Sequence, residues 1–327
     1  MGIPTALIFR GQPVQYQGIG SDIYNSSQCA KNTFETVRET GRSYDDQDVL
    51  RICFGSDITA ETLKNVLLAH AAIFSTNHAL YQSLKRRLPD LEFAATAGHS
   101  LGQVNAFVAA GALSFEDAAN LVLGGGKYLH EASADDRFKG NLAAVRFNAD
   151  ANFEEVINKL KQYGVYIALD NAPGSIVIGG LKTMVNEALG YLRSQRIRAG
   201  IIEKIEGPFH TPYLKGAPDR DNVTNLINST AFNNTDIPVY ANTTSQTISS
   251  SNQFCAESDE QMFMTVKWRE LTQRMGQQGI GRFIVIDPEP DDKQTIAKTI
   301  NIPNAEILVV KDMETLDGVV ERLAVPA

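Results

Sequence analysis

Gly98-His99-Ser100-Leu101-Gly102 is the stretch whose residue types and spacing are fitted for chemistry. Ala94-Ala95-Thr96-Ala97 ahead of it has the texture of a short buried strand. Gln103-Val104-Asn105-Ala106-Phe107-Val108-Ala109-Ala110 behind it predicts a helix. A serine on such a strand-to-helix corner stands its hydroxyl clear of the sheet, and only glycine fits the crowded flanks. The next backbone N–H, that of Leu101, points the same way from a helix N-terminus and offers half an oxyanion hole. The bland alternative is a glycine-rich turn with a chance serine; the strand before and the helix after favour a nucleophile.

A serine nucleophile needs a base within hydrogen-bond reach. Five histidines are available. His70 and His78 fall in a helical segment and His130 near a helix C-terminus, so each reads as a surface or packing residue. His99 adjoins Ser100, but neighbouring side chains on a turn diverge. His210, in Gly207-Pro208-Phe209-His210-Thr211-Pro212, follows a strand on a proline-pinned loop, where a sheet usually presents catalytic side chains. Position alone leaves His210 balanced between a base and an ordinary loop histidine.

The elements that must hold these residues read as α/β. Thr5 to Phe9 is a first strand running into Arg10-Gly11-Gln12-Pro13. Thr59 to Leu88 carries Leu63, Val66, Leu67, Ala71, Phe74, Leu80 and Leu84 at helical spacing, with an interruption expected at Ser75-Thr76-Asn77. Ser114 to Asp117 resembles a capping box for a helix running toward Glu131 through Gly124-Gly125-Gly126, at a cost of roughly 1 kcal/mol per glycine. From about Asn141 to Ile205 the order β-α-β-β-α-β predicts a ferredoxin-like unit. The expected organisation is therefore a large α/β-hydrolase-like domain with a parallel sheet (1–138 and 206–327) and an inserted small ferredoxin-like α+β domain (139–205). The late segment predicts a polar loop from Asn242 to Asn252, a helix around Glu260 to Gln277, a strand at Arg282 to Ile286, an acidic turn at Asp287 to Asp292, a last strand at Ile307 to Val310 and a closing helix.

Composition narrows the function classes. The 327 residues can bury a large core, and 43% hydrophobic with 21% charged residues is ordinary for a soluble globular chain. A net charge of −8 without a basic run argues against nucleic acid as a partner. No stretch approaches the roughly 18 apolar residues of a membrane span, so no membrane is expected. Cys29, Cys53 and Cys255 lie far apart with no metal-ligand spacing, which predicts no metal site and a reducing, cytoplasmic setting.

Gly98-His99-Ser100-Leu101-Gly102, Asn171-Ala172-Pro173-Gly174, Phe209-His210-Thr211-Pro212 and Val266-Lys267-Trp268 come in the order and spacing of malonyl-CoA:acyl-carrier-protein transacylases and polyketide synthase acyltransferase domains. The chain resembles that family over nearly its whole length. The resemblance implies acylation of Ser100 by a thioester, with His210 as base and a backbone carbonyl near Asn242 orienting the imidazole. It implies an oxyanion hole of the Gln12 and Leu101 N–H groups. It matches Gln261 to the family's active-site glutamine and sets Gln261, Asn171 and Gly125 at the substrate; Phe209, beside the base, is expected as a wall of the pocket. The implied reaction is ping-pong, with no permanently bound cofactor. The phosphopantetheine arm of coenzyme A or an acyl-carrier protein arrives as part of the substrate.

One departure bears on the substrate. Family members that take malonyl groups carry an arginine on the helix after the nucleophile, which clamps the free carboxylate. Gly125 stands in its place within Leu121-Val122-Leu123-Gly124-Gly125-Gly126-Lys127, and Lys127 points elsewhere by helical phase. A desolvated carboxylate without a partner costs several kcal/mol. The expectation is an acyltransferase of polyketide or fatty-acid biosynthesis that moves a non-carboxylated acyl group. The alternatives are a carrier-protein thioester hydrolase on the same site and, further off, an inactive carrier-binding scaffold. A lipase-like hydrolase would expect an acid between serine and histidine. Two further departures are Pro13 in the first loop and Asp287-Pro288-Glu289-Pro290 in place of a late Gly-Pro-Gly turn.

Overall fold

The computed structural model describes residues 2–46, 48–147, 152–290 and 296–324. Asp291 and Asp292 of the expected acidic turn lie outside them. In chain order the strands are Thr5–Phe9 (β1), Ala95–Gly98 (β2), Gly140–Arg146 (β3), Tyr166–Ala172 (β4), Ser175–Leu181 (β5), Arg198–Glu206 (β6), Val239–Tyr240 (β7), Thr247–Ile248 (β8), Arg282–Ile286 (β9) and Glu306–Val310 (β10). They form one sheet of order β10-β9-β1-β2-β7-β8 and a second of order β4-β5-β3-β6.

The first sheet is parallel from β10 to β7, with β8 added antiparallel at the edge. β1 is buried at every position, as a central parallel strand covered on both faces must be. Its alternate side chains serve two cores. Leu7 and Phe9 join the core that contains Leu68, Phe74 and Leu80 of helix Val66–Arg87, while Ala6 and Ile8 join the one that contains Trp268 and Leu271. The C-terminal ends of β1 and β2 lead into the Gly11–Gln12 loop and the Ser100 corner, the side where open α/β sheets bind ligands.

The second sheet is antiparallel throughout and follows the order β3, helix Phe153–Gln162, β4, β5, helix Lys182–Ser194, β6. Asn152 caps the first of these helices by accepting from the Glu155 N–H. The sheet has its own core of Val145, Leu160, Ile178, Val185 and Leu192. Against the larger body, the Asp170 N–H donates to the Val266 carbonyl at 2.9 Å, and Arg269 pairs with Asp170 at 2.7 Å.

Two helical expectations are corrected. The segment after Thr59 breaks at Asn65, not at Ser75-Thr76-Asn77: a short helix Ala60–Lys64 is followed by an unbroken helix Val66–Arg87. Asn65 caps the second helix through the Leu68 N–H. Ser75 and Thr76 satisfy their buried hydroxyls on the carbonyls one turn back, Ala71 and Ala72. Asn77 donates to the Arg10 carbonyl at 2.8 Å.

The helix expected from Glu260 to Gln277 is likewise two. Ser251–Glu260 starts from a Ser250–Gln253 capping box inside the expected polar loop. After a short 3₁₀ turn, Gln261–Phe263, the chain runs extended to Val266 and re-enters a helix at Trp268–Gln277. Val266 bridges Leu169 there, and that cross-link outcompetes helical continuation. Among the described residues no helix is long and apolar enough to cross a membrane, and no group of three or more His, Cys, Asp or Glu is placed to hold a metal ion.

Candidate active site

Ser100 sits between β2 and helix Gly102–Ala110 with φ 54°, the strained left-handed backbone of a serine thrust out of a sharp corner. The flanking glycines are required sterically. A Cβ on Gly98 would overlap the Gly102 carbonyl, and one on Gly102 would overlap that of Phe9. The Ser100 hydroxyl lies 2.7 Å from Nε2 of His210. His210 is buried and also has a left-handed φ, of 58°; its own N–H donates to the Met262 carbonyl at 2.9 Å. Burial pushes its pKa down to about 4, with backbone hydrogen bonds pulling weakly upward, so the imidazole is neutral and able to accept a proton.

The orienting group differs from expectation. His210 Nδ1 faces the carbonyl of Gln261 at 2.8 Å, not that of Asn242. The turn Gln261–Phe263 that breaks the two late helices is what brings this carbonyl under the imidazole. Asn242 instead holds the serine: its Oδ1 accepts from the Ser100 N–H at 2.9 Å and its Nδ2 donates to the Gly98 carbonyl at 2.7 Å. The Gln261 side chain donates to the Ser100 carbonyl at 2.7 Å and to Asn242 Oδ1 at 3.3 Å. Gln261 therefore brackets the pair from both ends.

The remaining sequence candidates divide. Gln12, Leu101, Gly125, Phe209 and Gln261 all line one cavity with Ser100 and His210. The backbone N–H groups of Gln12 and Leu101 have no hydrogen-bond partner among the described residues, as an oxyanion hole requires. Asn171 does not line the cavity. Its Oδ1 lies 2.8 Å from Nε2 of His99, whose ring sits edge-on to Trp268, so it fixes His99 where a substrate contact was expected.

The rest of the cavity wall is apolar: Val104, Phe107, Leu121, Val122, Leu129, Val223, Leu226, Ile227 and Met262, with Ser258, Gln103 and His70 as further polar members. None of the described residues lining it is an Arg, Lys, Asp or Glu. Gly125 lies open to this space, its nearest neighbour for an added Cβ being the Met262 sulfur at 3.9 Å. Lys127 turns outward and pairs with Glu131 at 3.8 Å.

Among the wall and frame residues that sequence reasoning missed are His70, Gln103 and Glu257. His70 faces the cavity and lies 3.2 Å from Gln12 Oε1, neutral because burial pushes its pKa down to about 3. Its signal was present: position 70 shares the buried helix face of Leu67 and Phe74. Gln103 and Glu257, which bond each other at 3.0 Å, lie 154 residues apart, and no local pattern joins them.

A model of the acyl transferase domain matches residues 6–318. The chain is 28% identical over 320 residues to the malonyl CoA-acyl carrier protein transacylase of Bacillus subtilis, covering 97% of this chain and 96% of that one. The crystal structure of the malonyl CoA-acyl carrier protein transacylase from Clostridium perfringens superposes with a TM-score of 0.83 at 26% identity, over 98% of this chain and 97% of that one. The Coxiella burnetii protein of the same name gives 0.85 at 25%, over 99% of each.

Proposed function

The chain belongs to the acyl transferase domain family, and from that membership we propose that it moves an uncharged acyl group between thioesters through Ser100, in fatty-acid or polyketide biosynthesis. The observation that carries this reading is the Ser100–His210 pair, 2.7 Å apart, opening onto a cavity whose described wall holds no ionic side chain. His210 Nε2 takes the Ser100 proton as Oγ attacks the thioester carbon. The N–H groups of Gln12 and Leu101 stabilise the tetrahedral oxyanion. Its collapse breaks the C–S bond, and the departing thiol takes the proton back from His210. The second half runs in reverse: His210 deprotonates an incoming thiol, the sulfur attacks the acyl carbon, and Ser100 Oγ leaves with the proton.

The donor and acceptor thiols are those of coenzyme A and an acyl-carrier protein, the pairing in the relatives' names. No permanently bound cofactor enters the reaction. Those names also specify malonyl groups. In this cavity a malonate carboxylate meets Gly125 and apolar side chains, and burying it unpaired costs several kcal/mol.

Intact-mass spectrometry of the protein with acetyl-, longer acyl- and malonyl-coenzyme A tests the reading, with Ser100→Ala as control. Expected are acetyl or longer acyl adducts on Ser100 that move to an added carrier protein, with malonyl adducts far behind. Dominant malonyl loading would overturn the uncharged-acyl assignment. Free acid in place of acyl-carrier would overturn transfer.

A further inference from the structure

We propose that Glu257 is a positioning residue for the nucleophile, acting on Ser100 through the side-chain amides of Gln103 and Asn242. The inference rests on the reading of Ser100 as nucleophile and is independent of which acyl group it carries. All three relay residues are buried, Glu257 at 5%, Gln103 at 2% and Asn242 at 0% exposure. Unpaired polar atoms there would be costly.

The relay is directional because each link fixes the next. An ionised carboxylate only accepts hydrogen bonds. Glu257 accepts from Gln103 Nε2 at 3.0 Å, from the Thr243 N–H at 3.0 Å and from the Thr243 hydroxyl. Gln103 must therefore turn its NH₂ toward Glu257, which leaves its oxygen to accept from the Asn242 N–H at 2.8 Å. A flipped Gln103 would set oxygen against carboxylate and NH₂ against N–H, two repulsions in a dry interior. Asn242, anchored by its backbone, then delivers Oδ1 to the Ser100 N–H at 2.9 Å and Nδ2 to the Gly98 carbonyl.

The clamp matters because Ser100 is held at a φ of 54° that its own side chain disfavours. Releasing it moves Oγ relative to His210 and the Leu101 N–H relative to the oxyanion. Asn242 Oδ1 also accepts from Gln261, the residue that orients His210, so one amide oxygen joins both halves of the pair.

The test is the labelling rate of Ser100 by a fluorophosphonate, followed by intact mass, with melting temperatures taken in parallel. Glu257→Leu should lower the saturating labelling rate by about tenfold or more at unchanged half-saturation, since misplaced reacting atoms cost chemistry and not binding. Glu257→Gln should stay within about threefold, because its amide oxygen can accept the Gln103 and Thr243 N–H bonds. Leu192→Ala, in the separate core of the small sheet, should lower the melting temperature and leave labelling unchanged. If Glu257→Leu does not fold, Gln103→Met cuts the same relay and should show the same loss.

A folded Glu257→Leu protein labelled at the unsubstituted rate would overturn the proposal. So would a Glu257→Gln loss as deep as that of the leucine variant. Failure of the unsubstituted chain to label would remove the nucleophile and this proposal together. Normal labelling without acyl loading would remove only the acyl-transfer reading.

Discussion

The two sides of Ser100 are built on opposite rules. Behind it, the side-chain polar atoms of Asn242, Gln103 and Glu257 all have hydrogen-bond partners, in a frame drawn from residues far apart in the chain. In front of it, the described cavity wall is mostly apolar and has no Arg, Lys, Asp or Glu side chain, and Gly125 leaves space where a side chain could stand. The frame sets how the serine attacks, the cavity sets what it attacks, and the two share few residues. Changes to the frame should therefore alter rate without altering acyl preference, and changes to the cavity should do the reverse.

The largest expected effects break the frame at its centre. Ser100→Ala should abolish covalent labelling, and His210→Ala should lower the rate on the order of a thousandfold, because the 2.7 Å proton acceptor is gone. Both proteins should still bind acyl-coenzyme A in a calorimetric titration, since neither change touches the apolar wall. Loss of binding along with rate would mean that frame and cavity are one unit.

Gly125→Arg changes the cavity and leaves the frame alone. The guanidinium has open space to enter, and it supplies a charge-assisted partner for a carboxylate. The ratio of malonyl to acetyl adducts on Ser100, read by competition in one mass spectrum, should rise by about ten- to a hundredfold. Fluorophosphonate labelling should stay near its original rate. An unchanged ratio would show that Gly125 does not face the acyl end.

How much of this was legible in the sequence follows the same division. The nucleophile corner is local: two glycines, a serine, a strand before and a helix after lie within one short segment, and the β-α-β-β-α-β order and the Asn152 cap are likewise read from neighbours along the chain. His210 needed the family resemblance to raise it above a loop histidine. The Gln261 carbonyl was out of reach, because helical spacing carried one helix through Glu260–Gln277, where the chain turns at Gln261–Phe263 and then runs extended to its bridge with Leu169. Asn242 was identified, but for its backbone carbonyl and for His210, whereas its side-chain amide holds the Ser100 corner. Its backbone neighbours were readable; the 139-residue link to Gln103 was not. His70 looked like packing because a helical stripe does not say which neighbour has been replaced by a cavity.

A pH profile probes the frame more gently. Burial holds His210 down to about 4 and His70, His78 and His99 down to about 3. The acid limb of Ser100 labelling should therefore have its midpoint near pH 4, where an ordinary histidine would give about 6.5. Stability runs in a stated direction. These groups are depressed in the fold, so their contribution is full above pH 6.5. It is lost as the pH falls toward 4 and below, because the unfolded chain takes up protons first. Urea midpoints at pH 7 and pH 5 should show the loss. A labelling midpoint near 6.5 would mean that the His210 imidazole is more open to water than its burial indicates.

The smallest expected effect separates two adjacent glycines of helix Phe115–Ala134. Both sit in the helix interior, where replacing glycine by alanine gains about 1 kcal/mol from backbone entropy alone. A Cβ at Gly125 meets nothing closer than the Met262 sulfur at 3.9 Å, so Gly125→Ala should raise the unfolding free energy, read from urea titration, by about that amount. A Cβ at Gly124 would overlap the Leu226 side chain on the neighbouring helix Arg220–Ser229, which itself forms part of the cavity wall. The contact is with the far end of a half-buried side chain, so Gly124→Ala turns the Leu226 methyl aside, which offsets part of the propensity gain. The unfolding free energy of Gly124→Ala should therefore rise less than that of Gly125→Ala. An equal or larger rise would mean that the Leu226 side chain moves aside freely, and that the cavity wall it forms is not a fixed mould for the acyl group.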